Sequence, residues 1–299
     1  MSSTDYSQRF LFEALDIRGE FVHLENSYQA VLSNGEYPEV IQHLLGELVC
    51  ASVLLSSILK YEGRLAIHAQ SEGPVSLLVA ECSDKKGIRA IAHFDEQSVA
   101  GLDKSMPLSA LISGGQLAIM IQPTTGKQYQ GIVPLSGKTL AECLERYFEQ
   151  SEQLPTRIYL AADQRKAGGL LLQQLPKSQD ALSEEARNQW EHITTLADTT
   201  RSQELTELPA ETLLNRLFVE DAIRAFEAQN VSFQCRCSKE KTRFALSVME
   251  KHELEEILEK KQCITVDCQF CTTRYEFTRD DLKLLEKTAA PNNQTGALH

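Results

Sequence analysis

Two close pairs of cysteines near the C-terminus constrain this 299-residue chain more than any other feature. Cys235 and Cys237 form a C-x-C pair, and Cys268 and Cys271 form a C-x-x-C pair further along the chain. Four thiolates on two short segments suit a tetrahedral zinc site, where the sulfurs converge at about 2.3 Å from one ion. A regular strand would place the C-x-C side chains about 6.6 Å apart, so chelation there requires an irregular backbone. The pattern predicts one zinc ion held by these cysteines; two structural disulfides or four unrelated buried thiols are the alternatives.

The other cysteines and one nearby histidine are expected to stay outside this site. Cys50, Cys82 and Cys143 fall in apolar segments and are predicted to be core residues. Cys263 is a fifth cysteine close to the second pair; we expect it to be inert, with competition for disulfide pairing as the alternative. His252 lies between the pairs, but four cysteines already complete a tetrahedral ion, so it is predicted to lie on the surface.

Composition places the chain among ordinary globular proteins. With 42% hydrophobic and 24% charged residues, it is long enough for about two domains with a sizeable core. No basic segment leads into an apolar one at the N-terminus, so no secretory signal is expected. The apolar stretch 44–59 is too short to span a membrane and contains Glu47, which favours a buried core helix. Eight cysteines without an export signal indicate a reducing, cytoplasmic location and metal or redox chemistry.

Charge is distributed unevenly along the chain. The net charge is −12, and residues 176–234 hold 5 basic and 11 acidic side chains. Residues 235–299, which include the cysteine pairs, hold 11 of each sign. A net acidic protein repels phosphate backbones at long range, so this balance argues against nucleic acid as the partner of the cysteine module.

Glycine marks the organisation of the N-terminal part. Every glycine except Gly296 lies at or before Gly169, so the turns that a sheet requires are confined to that region. Residues 117–121 and 128–135 are predicted to form a hairpin, and 139–151 a helix. Thr139 and Glu142 give that helix a T-x-x-E capping box. We therefore predict an α+β fold whose N-terminal domain, residues 1–177, is a mixed α/β sheet domain.

Residues 178–230 are acidic, free of glycine and typical of helices. Their apolar residues form two sparse stripes on the predicted helices: Ala186, Trp190, Ile193 and Ala197, then Leu213, Leu214, Leu217 and Phe218. Short helices of this kind depend on tertiary packing more than on propensity. The segment is predicted to be a metastable helical linker, with an ordinary helical connector as the alternative.

The C-terminal module is expected to span residues 231–290, followed by a flexible tail over 291–299. Helices are predicted at 238–249 and 253–260, and hairpin strands at 264–267 and 274–277. So small a domain buries little apolar surface, so the bound metal is its main expected source of stability.

The segment 136–139 (SGKT) resembles the end of a phosphate-binding P-loop. That loop requires a glycine, four intervening residues and then Gly-Lys, whereas five residues separate Gly131 from Gly137, and Ile132, Val133 and Leu135 among them indicate a strand. The segment is better explained as a turn whose Thr139 caps the following helix, and no ATP binding is expected. The histidines are scattered, and we expect a binding protein rather than an enzyme.

Several short motifs, together with the cysteine pairs, give the chain a specific resemblance. They are 9–13 (RFLFE), 18–20 (RGE), 45–48 (LGEL), 73–74 (GP), 129–131 (YQG), 147–148 (YF), 151–156 (SEQLPT), 168–170 (GGL) and the strand Tyr275-Glu276-Phe277. Over essentially its whole length the chain closely resembles the redox-regulated thirty-three-kilodalton heat-shock chaperones of bacteria. It departs from them at Thr272, where the family often has glycine.

The resemblance implies an ATP-independent holdase that is inactive when reduced and zinc-bound. It implies that oxidation forms two disulfides, Cys235–Cys237 and Cys268–Cys271, releases zinc and unfolds the redox-switch domain with its linker. The unfolded form would bind unfolding client proteins, commonly as a homodimer. From the composition and charge of the chain we expect neither a membrane nor nucleic acid as a partner. Thiolates are the form of sulfur that oxidants attack, which agrees with such a switch. Four nearby cations are expected to favour the thiolates: Arg236, Lys239, Lys241 and Arg274.

Two other functions remain to be weighed. A zinc module that binds nucleic acid would need a basic face, which a module of zero net charge does not indicate. A nucleotide-dependent enzyme would need the P-loop that the spacing does not provide.

Overall fold

The computed structural model describes residues 4–59, 61–103, 106–175 and 183–281. In chain order the strands are β1 (Tyr6–Phe12), β2 (Ile17–Leu24), β3 (Gly63–Gln70), β4 (Val75–Ser83), β5 (Gly87–Phe94), β6 (Gln116–Pro123), β7 (Tyr129–Pro134), β8 (Thr156–Ala162), β9 (Ala167–Gln174), β10 (Ile223–Ala225), β11 (Gln229–Asn230), β12 (Ser232–Phe233), β13 (Ile264–Asp267) and β14 (Arg274–Phe277). The helices are α1 (Asn26–Leu32), α2 (Glu39–Ile58), α3 (Glu96–Val99), α4 (Leu108–Leu111), α5 (Leu140–Tyr147), α6 (Glu184–Ala197), α7 (Ser202–Glu207), α8 (Ala210–Leu217), α9 (Lys239–Leu246) and α10 (Lys251–Lys261). The expected tail, 291–299, and the first linker residues, 178–182, lie outside the described residues.

Two sheets, one antiparallel and one mixed, form the frame of the first of two compact units, Met1–Gln234. The first sheet has the order β10-β1-β2-β9-β8, and β11 also pairs with β1. The second has the order β12-β5-β4-β3-β6-β7. Its β12 runs parallel to β5, whereas the other described pairs in both sheets are antiparallel. The expected hairpin is confirmed by the pairing of β6 with β7.

Helix α2 is the centre of the main core and packs against strands of both sheets. Its length and hydropathy would allow it to cross a membrane, but 83% of its most apolar window is buried inside the protein. Apolar residues around the whole circumference are typical of a core helix enclosed on several sides. The expectation of a buried core helix in this stretch is confirmed, and Cys50 lies on it with no exposed surface.

A second core lies on the first sheet, where α6, α7 and α8 cover strands β1, β2, β8 and β9. The sheet contributes Phe10, Phe12, Ile17, Phe21, Ala161, Leu170 and Leu172, and we call these residues the covered face. The helices contribute Ile193, Ala197, Leu205, Ala210, Leu213, Leu214, Leu217 and Phe218. The linker helices therefore bury more apolar surface than their sparse stripes suggest.

The predicted linker is helical over only part of its length. Helices α6–α8 agree with the expectation, but β10 and β11 follow them as short strands that pair with β1. Trp190 is half-buried at the rim of the second core, while Ile193 is fully buried.

Helix α5 begins where the sequence predicts it. The hydroxyl of Thr139 accepts the backbone N–H of Glu142 at 3.2 Å. The Glu142 carboxylate accepts a hydrogen bond from the backbone N–H of Lys138 at 2.8 Å. In the P-loop-like turn, an acidic side chain therefore occupies the helix start where a P-loop would bind phosphate. The α-helix ends at Tyr147, and the next residues, Phe148–Glu152, form a π-helical turn.

The second unit, Cys235–His299, has a small core of its own. Helices α9 and α10 and the β13–β14 hairpin bury Leu246, Leu254, Leu258, Ile264 and Phe277. Both strands of this hairpin have the predicted bounds. So few buried side chains supply limited folding energy, which agrees with an expected dependence on metal.

Candidate metal centre

The four predicted cysteines meet at one point of the second unit. Cys235 and Cys237 lie in an irregular segment between β12 and α9, as chelation by a C-x-C pair requires. Cys268 and Cys271 lie in the turn between β13 and β14. All four sulfurs are within 4.8 Å of one another. Two close contacts join the two segments: 3.6 Å from the sulfur of Cys235 to that of Cys268, and 3.3 Å from the sulfur of Cys237 to that of Cys271.

This arrangement fits a tetrahedral thiolate site. Zinc–sulfur bonds of about 2.3 Å place the sulfurs of such a site about 3.8 Å apart. The four cysteines are all half-buried, which shields an ion while leaving the sulfurs within reach of small oxidants. Within the described part of the chain, this is the one group of histidine, cysteine and acidic side chains with metal-binding geometry.

Local hydrogen bonds shape the C-x-x-C turn. The N–H of Cys268 donates to the carbonyl of Thr273 at 2.9 Å, and the N–H of Thr272 donates to the carbonyl of Cys268 at 2.8 Å. These bonds close the turn and direct both sulfurs to one side. Thr272 passes through it with a φ of 55°, in the left-handed region that favours glycine.

Hydroxyl groups contact two of the sulfurs. The Thr273 hydroxyl lies 3.2 Å from the sulfur of Cys271, and the Tyr275 hydroxyl donates to the sulfur of Cys237 at 3.0 Å. Burial favours the neutral thiol of Cys271, but hydrogen bonds from Thr273 and Cys237 outweigh it and lower the pKa to about 6. Burial, reinforced by hydrogen bonds with Cys271 and Cys235, raises the pKa of Cys268 to about 12.

Three of the four cations expected to favour the thiolates have the following partners. Arg274 forms a bidentate pair with Asp267 at 2.8 and 3.0 Å. Lys239 lies 3.1 Å from Asp281, and Lys241 donates to the backbone carbonyl of Arg236. Neutral hydroxyl groups of Thr273 and Tyr275 contact two of the sulfurs directly, and the effect of the four cations on the thiolates stays a prediction. The alternation of β14 was a usable signal, since Tyr275 and Phe277 share the inward face.

The remaining cysteines occupy the places that the sequence indicates. Cys50, Cys82 and Cys143 are buried in the first unit, where burial raises the pKa of each thiol. Cys263 is half-buried and outside the four-sulfur group, and His252 is exposed.

A second feature of functional interest is the contact of α7 with the first sheet. A Cβ atom added to Gly168 of β9 would lie 2.0 Å from the carbonyl oxygen of Leu205, so only glycine allows this approach. Lys166 pairs with Glu207 at 2.9 Å. The Nε2 of His23 lies 2.8 Å from the carbonyl oxygen of Thr206. Backbone contact, an ion pair and a buried imidazole thus hold one short helix on the sheet.

Polar contacts also hold the end of α6. The Arg157 guanidinium of β8 contacts both carboxylate oxygens of Asp198, at 2.8 and 3.0 Å. The Tyr159 hydroxyl donates to the same carboxylate at 2.6 Å. The covered face is thus closed by polar contacts at its rim as well as by the apolar contacts of the second core.

Comparison with known proteins identifies the family. The family model described as Hsp33 protein matches residues 5–278. A 33 kDa chaperonin of Pseudomonas paraeruginosa is 44% identical over 303 residues, covering 100% of each chain. One from Azotobacter vinelandii is 46% identical over 289 residues, covering 95% of each. The crystal structure of the 33 kDa chaperonin of Thermotoga maritima shares the fold, with a TM-score of 0.77 at 21% identity, over 95% of this chain and 98% of that one. The match across residues 5–278 and the full-length relatives show that the chain belongs to the Hsp33 family of chaperones.

Proposed function

We propose that the protein is a redox-regulated, ATP-independent holdase of the cytoplasm that binds unfolding proteins under oxidative stress. The main observation behind this proposal is the four-sulfur group. Thiolates react with oxidants, and in a small domain the metal that they bind also stabilises the fold, so their oxidation would unfold the domain. In this proposal the protein is a binding protein without catalytic residues, and ATP, nucleic acid and membranes take no part.

In the reduced state, Cys235, Cys237, Cys268 and Cys271 are the proposed ligands of one zinc ion. Bound zinc would keep the four sulfurs as thiolates and contribute folding energy to the second unit. That energy matters because the core of this unit consists of few side chains.

In the oxidised state, the proposed disulfides are Cys235–Cys237 and Cys268–Cys271. For each, two thiolates lose two electrons and form one S–S bond, while a peroxide O–O bond breaks, takes up the electrons with two protons and leaves as two waters. The disulfide sulfurs no longer serve as thiolate ligands, so the unit loses its metal. Close contacts between reduced sulfurs also run between the segments, but disulfides formed there would keep the segments tied together, which disfavours release of the metal.

Loss of the metal is proposed to release the linker from the sheet. Detachment of α6–α8 would expose the covered face, whose phenylalanine, leucine and isoleucine side chains form a contiguous apolar surface. Exposed apolar patches of this kind bind other proteins, either unfolding clients or a second copy of the chain. The active form is proposed to be a homodimer.

The test compares reduced and peroxide-treated protein. Zinc content is measured, and suppression of aggregation of a chemically unfolded client is followed by light scattering without ATP. The reduced protein should hold one zinc per chain and be inactive; the treated protein should have lost zinc and be active. Equal activity in both states would contradict the redox control.

Cysteine variants test the ligand set. Cys268→Ser should retain much less zinc than the wild type, whereas Cys263→Ser, the matched control in the same unit, should retain it fully. Full zinc in the Cys268→Ser protein would exclude the proposed four-cysteine site. Peptide mapping of the oxidised protein identifies the disulfide pairs directly.

A further inference from the structure

Tyr275 connects the two cysteine segments through a contact that involves no metal. It belongs to β14, in the hairpin that carries Cys268 and Cys271, yet its hydroxyl donates to the sulfur of Cys237 in the other segment at 3.0 Å. Its ring is half-buried against the core of the second unit, which fixes the direction of the hydroxyl. The donor is thus held in place by packing.

The second hydroxyl at the site makes a different kind of contact. Thr273 is two residues from Cys271, and its hydroxyl lies 3.2 Å from that sulfur. This contact remains within one segment and orders one turn. Tyr275 and Cys237 are 38 residues apart in sequence, so their hydrogen bond orders the two segments relative to each other.

We propose that Tyr275 is a positioning residue that ties the C-x-C segment to the hairpin and slows the oxidation of Cys237. This inference rests on the proposed function. A hydrogen bond to a thiolate withdraws charge from the sulfur and weakens it as a nucleophile, and outer-shell partners of this kind orient metal ligands. The hydroxyl therefore acts through Cys237 and raises the oxidant exposure needed to open the site.

The step it slows is the first attack on peroxide. The Cys237 thiolate forms an S–O bond as the O–O bond of hydrogen peroxide breaks, and the departing hydroxide takes up a proton to become water. Sulfur is oxidised by two electrons and oxygen is reduced by two. The Cys235 thiolate then displaces hydroxide from the resulting sulfenic acid and forms the S–S bond.

The test is Tyr275→Phe in the full-length, zinc-loaded chain, because phenylalanine keeps the ring packing. Zinc release by hydrogen peroxide, followed with a chromogenic chelator, should become about 3- to 10-fold faster. Zinc affinity from chelator competition should fall about 10-fold. Alkylation of the reduced, zinc-loaded protein, mapped by mass spectrometry, should increase at Cys237.

Two matched variants separate this role from a structural one. Thr273→Val removes the contact within one segment and should increase alkylation at Cys271 rather than Cys237. Tyr61→Phe removes the same hydroxyl from a tyrosine of the first unit and should change none of these rates. The melting temperature of zinc-loaded Tyr275→Phe should stay within a few degrees of the wild type, since a single hydrogen bond contributes about 1 kcal/mol.

The same measurements distinguish a failure of this inference from a failure of the proposed function. If wild-type protein keeps its zinc in peroxide, the proposed redox switch fails. If wild type loses zinc and Tyr275→Phe loses it at the same rate, with unchanged alkylation at Cys237, the role of Tyr275 is overturned while the switch stands.

Discussion

Thr272 lies directly after the C-x-x-C pair with a φ of 55°, a conformation that a β-branched residue rarely adopts. The left-handed region costs a residue with a Cβ about 1–2 kcal/mol, and glycine avoids this cost. Glycine also has more freedom in the unfolded chain, which offsets part of the gain. Thr272→Gly should therefore stabilise the zinc-bound unit by about 1 kcal/mol, or about fivefold in zinc affinity, because metal binding and folding are coupled. Chelator competition measures the shift.

Gln262 provides the control for this prediction. It ends α10 with a φ of 63° in the same unit, but it is outside the metal-binding turn. Gln262→Gly relieves a comparable strain away from the sulfurs. Thr272→Gly should slow zinc extraction and peroxide-driven zinc loss more than Gln262→Gly does. Equal effects would mean that strain in the metal-binding turn has no special influence on the metal.

At the residue scale the sequence predicted the four sulfurs well and their surroundings poorly. Cysteine spacing determines which side chains can converge on one ion, so the group was recoverable from the spacing alone. Which donors reach the sulfurs depends on how β14 packs against α9 and α10. Alternation along β14 indicates that Tyr275 faces inward, but only the packing places its hydroxyl on Cys237 and pairs Arg274 with Asp267.

At the scale of elements, a substitution at the contact between β9 and α7 tests directly whether the linker helices must stay on the sheet to keep the protein inactive. Gly168→Ala would place a methyl group against the backbone of Leu205, and a backbone cannot move aside as a side chain can. Such overpacking costs about 1–3 kcal/mol, which should displace α7 from the sheet. The reduced, zinc-loaded variant should suppress client aggregation in part, and limited proteolysis should cut within 183–218.

The neighbouring glycine supplies a matched control. A Cβ at Gly169 would meet the ends of the Leu54, Leu160 and Val22 side chains at 3.0 to 3.2 Å, on the other face of the strand. Gly169→Ala therefore strains the main core and leaves α7 in place. If the two variants resist protease equally and both remain inactive, close contact between α7 and the sheet does not restrain the activity.

The sequence predicts strands and helices correctly where the residue pattern that defines them lies within one short stretch of the chain. The β6–β7 hairpin and the β13–β14 hairpin follow directly from alternating residues between turn signals. The strands β10 and β11 could not be found in this way, because they are short and become strands only by pairing with β1. Leu205 was likewise missed, since a single leucine in a polar stretch gives no stripe, yet it is buried in the second core.

At the scale of the whole molecule, the two units have unequal sources of stability. The Met1–Gln234 unit has a large core around α2 and a second core beneath the linker helices. Among the described residues of the second unit, five buried apolar side chains form the core, and the proposed metal would add to its stability. Because the linker helices share a core with the first sheet, we expect the opening that follows loss of the metal to pass along the chain from Cys235 before it exposes the covered face.

The route of that opening is testable. The segment just before Cys235 consists of β10, β11 and β12, edge strands of two or three residues, which are among the weakest paired elements of a fold. We expect peroxide or a zinc chelator to expose residues 235–281 to protease first, then 219–234, then 183–218, while 4–174 stays resistant. Time-resolved proteolysis with mass mapping gives the order, and Thr272→Gly should delay every stage by retaining the metal longer. Cuts within 183–218 while 219–234 is still intact would show that the opening follows a different route. A linker that stays intact after the second unit has unfolded would show that the metal site does not control the linker.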